Sequence, residues 1–117
     1  MRWEEARNQT LDKWYAIRDL VGLCEPVVFI KLINDTNAMC REAEAEAERH
    51  LNRDSACYYC KWSEQYGRCN HLIDAMSVAA ERRDWESVRA LTLNMIGMLE
   101  NMRLEEIGES LDQPSWK

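Results

Sequence analysis

Glycine and proline are scarce in this chain, four and two among 117 residues. Tight β-turns draw on both, so the composition argues against an all-β fold built from many hairpins. Long apolar runs are missing too. The longest, "PVVFI", has five residues, far short of the roughly 18 that span a bilayer. The N-terminal stretch "MRWEEARNQTLDKW" is charged and carries no apolar signal region. The expectation is a cytoplasmic protein without a membrane partner.

Basic patches are also absent. Residues 1–48 hold ten acids and six bases, 49–89 six acids and seven bases, and 90–117 five acids and two bases. No segment neutralises a run of phosphates, so direct nucleic-acid binding is not expected. Gly22, Gly67, Gly97 and Gly108 are isolated, which leaves no phosphate-cradling loop. There is no HExxH pair and no pair of E-x-x-H motifs of the di-iron kind. The serines show no recognisable triad pattern. Nothing names a reaction, and a non-enzymatic protein is expected.

What remains is an ordinary globular composition, 46% apolar and 31% charged, with a net charge of −6. The length suits one domain over 1–117, with 111–117 as a frayed tail. An acidic surface keeps a protein soluble and would suit a basic protein partner.

Helical periodicity is pervasive. Thr10, Trp14, Ile17, Val21 and Cys24 recur at 4, 3, 4, 3, which predicts a first helix over about 3–23, closed by Gly22 and Pro26. A second is expected over about 26–51. Phe29, Ile33, Thr36, Cys40, Ala43, Ala47 and His50 repeat at 4, 3 throughout, the pattern of one helix–helix seam with small residues allowing close approach. Cys40 then reads as a small core residue. His50, on the same face, would point toward the segment that follows. The alternating glutamates of "EAEAEAER" would scatter over outer, solvated helix faces.

A third main helix is expected from Asn70 as its N-cap, with Leu72, Met76, Ala79 and Arg83 on one side. A fourth is expected from Asp84 to about Gly108. Its two stripes, Val88–Leu91–Met95–Met98–Met102 and Trp85–Thr92–Ile96–Leu99, are wide enough to face more than one neighbour. The fold expectation is therefore an all-α bundle of about four main helices, with a short Cys-rich helix or loop between the second and third. That wide stripe and five tryptophans suggest more apolar surface than a small bundle buries, hence a dimer.

The chemistry concentrates in "DSACYYCKWSEQYGRCNH", residues 54–71. It contains C-x2-C-x8-C-x-H: Cys57, Cys60, Cys69 and His71. A C-x2-C pair can place two sulfurs on one tetrahedral ion, and a closed zinc site takes four N or S donors. The expected ligands are Cys57, Cys60, Cys69 and His71, with His50 as the alternative fourth. An iron–sulfur cluster is the alternative cofactor and would need Cys24 or Cys40 to turn inward. A further alternative is a redox dithiol, with Asp54 or Ser55 capping a short helix that carries Cys57 and Cys60 and ends at Gly67. The functional expectation is a small helical interaction or regulatory protein with a zinc-stapled joint. Its alternatives are a thiol or iron–sulfur sensor, or an acidic helical inhibitor without metal.

Overall fold

A computed structural model describes residues 3–50 and 59–104. These residues form an all-α bundle with six helices and no strand among them. Helix α1 is Trp3–Leu20, α2 Pro26–Asn34, α3 Ala38–Arg49, α4 Lys61–Tyr66, α5 Asn70–Glu81 and α6 Trp85–Glu100. Helix α6 stops at Glu100, short of the end expected near Gly108, because Asn101 caps it and turns its side-chain amide back to Gly97 O at 2.8 Å. The tail 111–117 and the Asp54 or Ser55 cap lie outside the described residues.

Helix α6 lies at the centre, packed against both α1 and α5. Its two stripes explain this: Val88, Thr92, Met95, Ile96 and Leu99 are buried, and Leu91 and Met98 pack at the edge. The methionines fill core gaps, a use their flexible thioethers suit. Helix α1 contributes Thr10, Trp14 and Ile17 to the same core, and Val21 joins them from the turn that follows. Full burial of a side chain as large as Trp14 contributes about 2–3 kcal/mol. Trp3 and Trp62 are likewise buried within the single chain.

The continuous helix expected over 26–51 is two helices. Asp35, Thr36 and Asn37 leave the helical conformation, and the Asn37 side chain accepts a hydrogen bond from Cys40 N at 2.9 Å. Short polar side chains compete with the helix for backbone partners, so this "DTN" run ends one helix and caps the next. Met39 N donates to the buried Thr10 hydroxyl at 3.4 Å, which ties the start of α3 to α1. Helix α2 packs on α5, and α3 packs on α1. Each carries its own buried pair, Phe29 and Ile33 in one, Ala43 and Ala47 in the other. Written end to end, the two stripes imitate a single 4, 3 series. Exposed Thr36 and exposed His50 show that it is not one face.

Three smaller expectations also change. Cys69, rather than Asn70, is the N-cap of α5. Arg83 is exposed at the α5 terminus rather than on its inner stripe. Glu42 is buried, with its carboxylate 3.8 Å from the Arg49 guanidinium, so the glutamates of α3 do not all face water. Asp84 caps α6 as expected, accepting from Ser87 N at 3.2 Å and Ser87 Oγ at 2.7 Å.

Candidate functional site

Cysteines from separate parts of the chain meet at one small cavity. Cys40 comes from the first turn of α3, Cys60 is the N-cap of α4, and Cys69 is the N-cap of α5. All three line a space of about 30 Å³, walled by Trp14, Trp62 and Met95 among others. That volume is about the share of one water molecule in the liquid. It can take a single small species and has no room for an organic substrate.

Local structure explains how each thiol arrives. The Asn37 cap fixes the first turn of α3 and with it Cys40. Helix α4 is docked by buried Trp62, whose ring meets Tyr66 at 5.0 Å, and by Tyr66 Oη donating to Met98 O at 3.0 Å. Gln65 also pairs with the Arg103 backbone, accepting from Arg103 N at 2.9 Å and donating to its carbonyl. These contacts hold Cys60 against the C-terminal end of α6. Cys69 follows Gly67, whose backbone φ of 82° is left-handed and suits glycine.

Of the expected ligands, the fold brings together Cys60 and Cys69 and adds Cys40. Cys57 lies outside the described residues. His71 is exposed on the first turn of α5 and does not line the cavity. His50 is exposed at the C-cap of α3, with Nε2 3.4 Å from a Glu46 carboxylate oxygen and its ring stacked on Tyr59 at 4.9 Å. Hydrogen bonding from Arg49, foremost, and also from His50 pulls the Glu46 carboxyl below its ordinary range. Among the described residues, no group of three or more His, Cys, Asp or Glu side chains is gathered closely enough to hold a metal ion as it stands. No disulfide links Cys24, Cys40, Cys60 and Cys69 to one another.

Lys13 lies within electrostatic range of Cys40 and Cys69 without lining their cavity. Its pKa is lowered, chiefly by burial; attraction to Asp35 is the largest opposing effect. Lys13 escapes sequence reading, since it comes within range of the thiols only after folding. Cys40 enters that reading only as an iron–sulfur alternative and otherwise reads as a core residue, because the helix break at 35–37 is hidden, although "DTN" is itself a capping signal.

No protein-family model, curated protein or solved structure matches the chain. No described helix is long and apolar enough to cross a membrane.

Proposed function

We propose that the chain is a small non-enzymatic helical regulatory protein whose joint is stapled by one thiophilic metal ion, zinc foremost. The observation that carries this is the convergence of Cys40, Cys60 and Cys69, from three different elements, on a cavity of single-ion size. Cys57, three residues before Cys60 in the C-x2-C pair, supplies the fourth sulfur. His71 and His50 are the alternative fourth ligands, and each would have to turn from solvent. Zinc holds thiolates at about 2.3 Å, so binding draws the sulfurs together and locks α3, α4 and α5. Because the assembled site exists only in the folded chain, metal affinity becomes folding stability. A cavity this small favours a lone ion over an iron–sulfur cluster.

The interaction surface in this reading is the corner between α1 and α2, where Leu23, Val27 and Val28 are exposed. Self-association through this corner accounts for the apolar exposure. Sedimentation equilibrium tests it, and a concentration-independent monomer would remove this part of the reading.

Elemental analysis of protein purified anaerobically without added metal tests the staple. About one equivalent of zinc is expected, lost in Cys69→Ser and Cys40→Ser and kept in Cys24→Ser. Less than about a tenth of an equivalent in the native chain would sink it.

A second reading, a thiol redox sensor, is favoured by the same shared cavity. Two thiols would give two electrons and two protons to hydrogen peroxide, forming one disulfide and two waters. A metal-free protein in which dilute peroxide forms a Cys57–Cys60 or Cys40–Cys69 bridge, mapped by mass spectrometry, selects this reading.

A further inference from the structure

We propose that the groove between α1 and the α2–α3 connection binds a small amphipathic carboxylate, a medium-chain fatty acid being the simplest. The groove is open to solvent and offers about 310 Å³, the lower end of the range for small-molecule sites. Its apolar length is Ala16, Ile17 and Leu20 from α1 and Leu32 from α2. Its polar end is Lys13, Asp35 and Thr36. An apolar body with one polar end is what such a lining complements.

Lys13 decides the sign of the ligand's charge. Its ammonium has three N–H donors. One goes to the Asp35 backbone carbonyl at 2.7 Å, and no other hydrogen-bond acceptor reaches it among the described residues. The Trp14 ring, 5.9 Å away, steadies the cation. Burial disfavours this charge, and an anion in the groove would restore what burial removes. The Asp35 carboxylate is exposed and makes no ion pair with Lys13. Lys13 and, farther off, Arg41 set two cations against the single Asp35 carboxylate, although Asp35 acts on Lys13 more strongly than Arg41 does. One carboxylate balances the cation left over, whereas a dianion would exceed it. The inference stands apart from the thiol cavity and does not need a metal.

The test is titration with octanoate, below its micelle concentration, followed by amide NMR, with 1-octanol as the uncharged control. Saturable shifts are expected at Ala16, Leu20 and Thr36, with octanoate binding about tenfold tighter than octanol. Lys13→Met keeps the apolar stem and removes the charge. It should weaken octanoate about tenfold and leave octanol unchanged. Ala16→Phe fills the groove from an exposed position and should abolish both. Equal binding of the two ligands to the native chain, native octanoate affinity in Lys13→Met, shifts confined to other surfaces, or no saturable shift would each overturn the proposal.

Discussion

Phe29 meets Trp85 edge to face, with ring centroids 5.5 Å apart and planes at 83°. The contact joins α2 to the start of α6. The same indole closes over the turn between α1 and α2, where a Cβ on Gly22 would sit 3.8 Å from Trp85 Cγ. Gly22 has a φ of 81°, so the turn needs its freedom. Phe29 is fully buried. Phe29→Ala should therefore destabilise by about 3–5 kcal/mol, from lost burial and the cavity left behind. Phe29→Leu should cost about 1–2 kcal/mol, since volume is mostly kept and the aromatic pair is lost. Urea denaturation of the three proteins checks both values. A loss below 1 kcal/mol for the alanine variant would mean that α2 is not anchored through this ring.

Arg83 ends α5 in an unfavourable conformation. Its φ is 57°, the only non-glycine described residue with a left-handed backbone. Its N–H donates to Ala80 O and the next N–H, of Asp84, to Ala79 O, both at 2.9 Å, a Schellman closure that ordinarily takes glycine. The side chain forms an exposed ion pair with Glu25 at 3.2 Å, worth a few tenths of a kcal/mol. Relief of the left-handed strain is worth about 1 kcal/mol. Arg83→Gly should thus raise stability by about 0.5–1 kcal/mol, and thermal unfolding reads the change. A lower midpoint would show that the Glu25 pair outweighs the strain.

How far these contacts could be foreseen depends on their range. The α6 stripes were legible because α1 and α5 both pack on that helix, and a wide apolar face is a local pattern. Asp84 was legible because its partner, Ser87, is three residues away. The α2–α3 break was hidden because two short buried stripes, joined at Asp35–Asn37, keep the rhythm of one. That single misreading also assigned Cys40 to a continuous core seam. The spacing of Cys57, Cys60 and Cys69 is a local signal, but the cavity is built by α1, α3 and α6 closing over it. Lys13 and the groove depend on the same tertiary contacts and leave no mark in the sequence around them.

The Asp84 cap makes a pH prediction. Hydrogen bonds from the Ser87 hydroxyl, first, and the Ser87 backbone N–H hold the Asp84 carboxyl below its ordinary value. A folded pKa depressed in this way gives stability that is fully present above the unfolded value, about 4. That stability is lost as pH falls through the lower folded pKa. Asp84→Ala should be less stable than the native chain at pH 7, and the gap should narrow on acidification toward pH 2. Paired denaturation curves across that range check it. A gap that stays constant with pH would show that the carboxylate charge plays no part in the cap.

Asn37 couples the fold to the thiol site. Its side chain both caps α3 and lines the cavity that Cys40 enters. Asn37→Ala removes the acceptor for Cys40 N and should destabilise by about 1 kcal/mol. Asn37→Asp keeps the acceptor and adds an anion at a helix N-terminus, which the backbone dipole favours. Its stability should match or exceed that of the native chain. Near the proposed staple the same anion should weaken metal-bound thiolates, so the aspartate variant should be folded yet hold its metal less tightly. Chelator competition beside thermal unfolding separates the two effects. If Asn37→Ala unfolds at the native midpoint, then "DTN" interrupts the helix through Asp35 or Thr36, and the register of Cys40 is set by the Thr10 contact to Met39 instead.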